Sequence, residues 1–423
     1  MMKRCSTIPS PRRPARKDGR LLVILALIVY FALVALLSSM FGEGNAWKIM
    51  GVPHMSLSFA DWRAIPAGIE CARRGLEFYS WGNPCDPWGR PMVYPRIWLW
   101  LSVLGLNQNM TDTIGVSLAI SFFVALLWTL GRLTTRQGVV VAVMVCSPSV
   151  MLAVERGNND LVIFVILAIS LKYYGLPRLR SRLVGYGLVL VAAVLKLYPA
   201  LALVTLVRER GFKGLLTLGV SAILLALYAI VTLGDIETTA KVNFANTQLI
   251  SYAYGAKVLV QKLNLILSGT AEKPIPTVLA FAAAALLLIF GLLLGRRNAL
   301  RQNRILDNDL SRIGGFLMGA SIFLGTFLLG NNFDYRLIFL LLTVPQMFVW
   351  VNREDSLGLF SFVAILAVVS TLWFSSEILA GVNSILQLYE VLNWVLFAYY
   401  AYYASLLLAC IRNYGHPSST RTR

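Results

Sequence analysis

Ser149-Val150-Met151-Leu152-Ala153-Val154-Glu155-Arg156-Gly157-Asn158-Asn159-Asp160 leads into an apolar run. A turn carrying Arg178, Arg180 and Arg182 follows, then a second apolar run that ends in Lys196-Leu197-Tyr198-Pro199. The apolar runs read as membrane helices, and a cluster of charged and amide side chains stands at the end of each. Ionisable groups at bilayer depth are costly, so where they occur they line a site or a pathway. Asp61 and Asp334-Tyr335-Arg336 repeat the pattern elsewhere in the chain.

The composition agrees with that reading. Of 423 residues, 57% are hydrophobic and 14% charged, and the mean hydropathy is +0.69. Soluble domains are roughly 45–50% apolar. Apolar runs near the ~20 residues needed to cross a bilayer recur along the chain. The expectation is an all-α polytopic membrane protein with about 12 transmembrane helices. No period suggestive of a repeat array is present.

The net charge of +18 is placed for topology. Lys3, Arg4, Arg12, Arg13, Arg16, Lys17 and Arg20 crowd the first tail against a single Asp18. Under the positive-inside rule that tail is cytoplasmic. Basic residues used in this way require no nucleic-acid partner. The run 21–40 then crosses outward as an anchor, since its length and flanks do not suit a cleaved signal peptide.

Further crossings are expected at 113–131, 138–153, 160–175, 183–197, 198–207, 213–233, 277–295, 313–330, 335–351, 357–374 and 389–411. The connections this map places inside are basic: Arg132 and Arg136; Arg178, Arg180 and Arg182; Arg208, Arg210 and Lys213; Arg296, Arg297, Arg301 and Arg304. Residues 1–20 and 412–423 form cytoplasmic tails around one membrane domain, 21–411. Its exterior loops are 41–112, where acids balance the basic residues, and 234–276.

Two interfacial helices are expected in the first exterior loop. The run 94–106 is too short to span and carries Trp98 and Trp100, which suit a membrane interface. Residues 59–78 place Ile65, Ile69, Ala72 and Leu76 on one stripe. Cys71 and Cys85 share this loop, where an oxidising compartment permits a disulfide. Cys5, Cys146 and Cys410 lie in the cytoplasmic tail or in membrane segments. His54 is the one histidine outside the C-terminal tail, and a single ligand makes no zinc site.

The order of signals resembles the GT-C superfamily of lipid-phospho-sugar-dependent glycosyltransferases. The likeness is to glycosyltransferase family 87, the polyprenyl-phosphate-mannose-dependent mannosyltransferases, and to the enzyme that adds the first mannose in GPI-anchor assembly. It is carried by Phe59-Ala60-Asp61-Trp62, Gly75-Leu76-Glu77-Phe78-Tyr79, Tyr94-Pro95, Ser147-Pro148, the run Glu155 to Asp160, and Lys196-Leu197-Tyr198-Pro199. Asp334-Tyr335-Arg336 is a later echo.

The resemblance implies a GT-C-like bundle in a bacterial inner (plasma) membrane, with the active site on the periplasmic side. Its partners would be a polyprenyl-phosphate-linked sugar donor, a lipid or glycan acceptor and membrane lipids. Such families often carry Asp-x-Asp in the first loop, whereas position 59 here is Phe, so a metal or other cofactor is not expected.

Sugar transfer to a hydroxyl needs a base for the acceptor proton and a partner for the departing phosphate. Asp61 is the candidate base. Arg156, Lys196, Tyr198 and Arg336 suit a lipid phosphate, Arg by bidentate contact and Lys as a point charge. Glu155, Asn158, Asp160, Asp334 and Tyr94 are candidates for sugar or acceptor contacts, or for orienting the others. A secondary transporter or lipid flippase also has many crossings and buried charges. It more often shows paired halves with matching interrupted helices, and this sequence shows none.

Overall fold

Helix α1 (Arg20–Phe41) buries only Val23, Leu27, Tyr30 and Val34. Their spacing of three to four residues makes one inward stripe, and the other faces are left for lipid. This computed structural model describes residues 18–238, 252–269, 275–299, 309–330, 332–375 and 383–414. The tail 1–17, the end 415–423, the loop 300–308 with Arg301 and Arg304, and residues 239–251 and 270–274 of the second exterior loop lie outside them.

Among the described residues, seven helices are long and apolar enough to cross a membrane, or up to nine if each of two bent pairs is one span. The twelve expected crossings reduce to that range for reasons of length. Helices α7 (Asp160–Gly175) and α8 (Leu179–Leu195) have 16 and 17 residues. At 1.5 Å per residue they reach about 24–26 Å, short of the roughly 30 Å hydrocarbon core. The segment expected at 198–207 is an eleven-residue 3-10 helix, Tyr198–Arg208. By contrast α4 (Thr111–Leu130) and α9 (Gly211–Val231) are full-length, and α9 buries only Gly214 and Ser221.

The two bends fall at prolines. α5 (Thr135–Val145) and α6 (Pro148–Arg156) meet at 55°, with Pro148 as the first residue of the second piece. Proline has no N–H to give the preceding turn, and its ring blocks the carbonyl there, so the helix restarts in a new direction. The 3-10 helix Asp334–Leu342 meets the helix Val344–Val351 at 54°, beside Pro345. After the first bend, every α6 residue from 148 to 155 is buried. The charged end of α6 is thereby delivered into the protein interior.

Small residues draw the later helices together. A Cβ on Gly295 would meet the Tyr402 carbonyl oxygen at 2.5 Å, and one on Gly291 would meet Ala401 Cβ at 2.9 Å. This is the small-xxx-small contact of membrane helices, between Thr277–Ala299 and Asn383–Tyr414. A two-residue antiparallel pair, β1 (Ala253–Tyr254) with β2 (Asn332–Phe333), ties the connection 234–276 to the start of Asp334–Leu342.

The basic connections gather at the other end. Gly19 N–H bonds Leu133 O at 2.9 Å, and Arg210 bonds the carbonyls of Ile411 and Arg412 at 2.6 and 2.8 Å. Arg182 and Tyr186 of α8 both bond Glu209. Burial pushes that carboxyl up, but these bonds outweigh it and hold it below its ordinary value.

In the connection between α1 and α4, α3 runs Ala60–Arg73, shorter than the 59–78 expected from the apolar stripe. Ile65 and Ile69 are buried, whereas Ala72 is exposed and Leu76 lies beyond the helix, 41% exposed. The chain turns at Gly75, whose φ is +67°, and Cys71 is joined to Cys85. Residues Arg96–Leu104 form a 3-10 helix with Trp98 buried and Trp100, Val103 and Leu104 exposed.

Candidate active site

Phe59 seats the site. Its backbone is left-handed, φ 56° and ψ 39°, an arrangement that costs a non-glycine residue of order 1–3 kcal/mol. Surrounding contacts hold it there. Phe59 N–H bonds Glu155 O at 2.9 Å, and its ring covers Gly115 so closely that a Cβ there would lie 2.3 Å from the ring. Phe59 O then accepts from Arg63 N–H at 3.0 Å, starting α3 with Asp61 in its first turn. The residue standing where a second acid of an Asp-x-Asp motif would be is thus an anchor.

Asn158 joins Asp61 to the rest of the site. Its Nδ2 donates to Asp61 Oδ2 at 2.6 Å, while its Oδ1 accepts from Lys196 Nζ at 3.3 Å and from the Asp160 N–H at 2.9 Å. Those partners fix the amide orientation, since the carboxylate needs a donor and the ammonium an acceptor. Gly157 makes the turn that aims Asn158, at φ +55° and packed under Phe59 and Trp62.

Asp160 collects the cations. Lys196 forms an ion pair with Oδ1, Tyr198 donates to the same oxygen at 2.7 Å, and Arg336 Nε lies 3.7 Å from Oδ2. Three tyrosine rings surround Lys196 Nζ: Tyr94 and Tyr335 at 5.7 Å and Tyr198 at 5.8 Å. The Arg336 guanidinium stacks over Tyr198 at 5.0 Å and donates to Asn332. Two cations against one carboxylate leave a positive balance. Arg336 Nε and Asp160 Oδ2 are buried without a hydrogen-bond partner. The two face each other in that ion pair, slightly beyond hydrogen-bond distance. Burial holds the Tyr94 hydroxyl well above its ordinary range, with the Asp61 charge adding to it, and so keeps it a neutral donor.

Three of the expected residues sit apart from this cluster. Arg156 pairs with Glu155 at 3.0 Å, and Glu155 in turn meets His54 Nδ1 at 2.8 Å. The His54 side chain is 5% exposed and clasps the loop before α3 to α6. Asp334 turns away from the site. It is fully buried and accepts from Ser375 and Tyr389, beside the buried pair Lys262–Glu390 at 2.7 Å. The ion pair of Arg336 is with Asp160, not with its near neighbour Asp334.

Sequence reasoning missed Arg90. Its NH2 donates to Ala60 O at 2.6 Å and Asp86 Oδ2 at 3.0 Å, its Nε to Asp86 Oδ1 at 3.2 Å, and it stacks over Trp88 at 4.4 Å. NH1 lies 3.9 Å from Asp61 Oδ1. Among the described residues no group of three or more His, Cys, Asp and Glu could hold a metal ion.

The arrangement is a lone carboxylate one amide away from a cationic, tyrosine-lined recess, in a protein built of membrane-crossing helices. No curated protein and no solved structure matches the chain. The sequence model of glycosyltransferase family 87 matches residues 94–329, more than half of the chain. That span includes Tyr94, the run from Glu155 to Asp160, Lys196 and Tyr198; Asp61 lies well before it and Arg336 shortly after it. The chain belongs to glycosyltransferase family 87 and is an integral membrane glycosyltransferase.

Proposed function

We propose that this enzyme moves a sugar, mannose, from a polyprenyl-phosphate-sugar donor to a hydroxyl of a lipid-linked or glycan acceptor. The reaction takes place on the exterior face of a bacterial plasma membrane. Asp61 is the general base. Lys196, Tyr198 and Arg336 hold the donor phosphate, while Arg156 pairs with Glu155 apart from them. No cofactor enters this reading.

The observation that carries it is the Asn158 side chain, which bonds Asp61 with its Nδ2 and Lys196 with its Oδ1. One amide thus separates the group that would take the acceptor proton from the group that would receive the leaving phosphate. The acceptor hydroxyl attacks the sugar carbon as its proton passes to Asp61. The bond from that carbon to the phosphate oxygen breaks, and the electron pair stays on the phosphate. Positive charge facing that oxygen stabilises it as charge develops. Asp160 keeps Lys196 and Tyr198 in place before the donor arrives.

Asp61→Asn tests the assignment, because it keeps size and hydrogen bonding but cannot take a proton. The purified protein in lipid nanodiscs is given farnesyl-phosphoryl-mannose and octyl α-D-mannopyranoside. Loss of a general base costs about 10²–10⁴-fold in turnover, with donor affinity hardly changed. A helix-capping role predicts normal turnover, because Asn caps about as well as Asp. Normal turnover would remove Asp61 from the chemistry.

A further inference from the structure

The gap between Arg90 and Asp61 has a chemical use. Asn158 occupies Asp61 Oδ2, so Oδ1 is the oxygen that faces Arg90, across 3.9 Å from NH1. That is too long for a direct hydrogen bond and suits one oxygen atom set about 2.8 Å from each partner. Asp61 and Arg90 side chains are each 20% exposed, so both can be reached from solvent.

Arg90 is prevented from closing the gap. Buried Asp86 grips Nε and NH2, the Ala60 carbonyl takes a second bond from NH2, and Trp88 lies against the guanidinium. NH1 makes one long contact to Met55 Sδ at 3.6 Å, and a guanidinium NH2 group has two N–H bonds to give. The cation is therefore held beside the carboxylate but short of it.

We propose that Arg90 is a further catalytic residue, which holds the acceptor hydroxyl against Asp61. The hydroxyl donates its proton toward Asp61 Oδ1 and accepts from Arg90 NH1, leaving its second lone pair for the sugar carbon. As that bond forms, the proton moves to Asp61 and the donor phosphate departs with the bonding electrons. Arg90 keeps all its protons throughout. The ligand class is an alcohol, the reacting hydroxyl of a sugar or polyol headgroup. This inference rests on the reading of Asp61 as the base.

The test compares two ligands in Arg90→Gln, with the full chain in nanodiscs. One is octyl α-D-mannopyranoside. The other is its deoxy analogue, lacking the hydroxyl that the wild-type protein glycosylates. Binding is read as KM for the first and as competitive inhibition for the second. Arg90→Gln is expected to weaken the hydroxyl ligand about ten- to hundredfold, the range for a hydrogen bond to a charged group. The deoxy ligand and farnesyl-phosphoryl-mannose should bind within twofold of wild type. A residue that merely braces the loop would weaken both mannosides alike, and that result overturns the proposal, as does no change in either. If the Gln variant does not fold, Arg90→Lys is read instead: its single ammonium on a shorter stem cannot keep the Asp86 grip and reach the hydroxyl together, so it too should weaken the hydroxyl ligand and not the deoxy ligand. Repeating the binding comparison in Asp61→Asn separates the two claims. Normal turnover there sinks the base, whereas equal weakening of both mannosides in the Arg90 variants, or of neither, sinks only the acceptor contact.

Discussion

Asp61 is positioned from beneath by two glycines, because Phe59 and Trp62 rest on them. At Gly157, φ is +55°, and a Cβ would lie 3.0 Å from Phe59 Cβ and 3.2 Å from Trp62 Cβ. Gly157→Ala adds backbone strain and pushes on the two residues that flank Asp61. The expected outcome is a loss of at least about 1 kcal/mol of stability, together with slower turnover. Gly187→Ala, where nothing lies within 4 Å, is the control. Thermal melting and transfer assays should separate the two variants, and indistinguishable behaviour would mean that the Phe59 seat does not position the base. At this scale the sequence is legible for acids and amides at helix ends: Asp61, Asn158, Asp160 and Lys196 come together. Arg90 was not legible, because Arg63, Arg73, Arg74, Arg90 and Arg96 look alike in one loop. Only the fold shows which of them Asp86 holds beside Asp61.

Elements were read best where hydropathy and length agree. α1, α4 and α9 fall within a few residues of the runs that hydropathy marks. Hydropathy carries no information on how an apolar run is wound, so the 3-10 helices Tyr198–Arg208 and Asp334–Leu342 read as ordinary crossings. Both begin at the site, with Tyr198 and with Asp334-Tyr335-Arg336. The outward end of α3 depends on a crosslink instead. Cys71–Cys85 closes a loop of about fifteen residues, worth about 3 kcal/mol by loss of unfolded-chain entropy. Cys85 adjoins Asp86, the residue that grips Arg90. Replacing both cysteines by serine should lower the melting temperature and slow transfer, because the loop that carries Arg90 loosens. Melting and turnover measured on the double variant check this, and wild-type values in both would show the loop to be held without the bond.

At the scale of the whole molecule, charge and geometry divide the protein into two ends. One carries Asp61, the Asp160 cluster and the cross-linked exterior loop. The other carries the Gly19–Leu133 contact, the Arg182–Glu209 pair and Arg210 on the last helix. By the positive-inside rule the second end is the one expected in the cytoplasm, and on the proposed reading lipid-linked substrates meet Asp61 from outside. Surface positions on each end make this measurable. Ser80 is exposed in the loop between Cys71 and Cys85, and Glu354 is exposed between the helices Val344–Val351 and Ser356–Phe374. In intact cells a membrane-impermeant maleimide is expected to label Ser80→Cys and to spare Glu354→Cys until the membrane is opened. Asn83, in the same loop as Ser80, is only 2% exposed and would label poorly on either side. Labelling of both positions from outside would break the two-ended map. Labelling of Glu354→Cys alone would invert it and move the acceptor to the cytoplasmic face, where the basic connections would need another explanation.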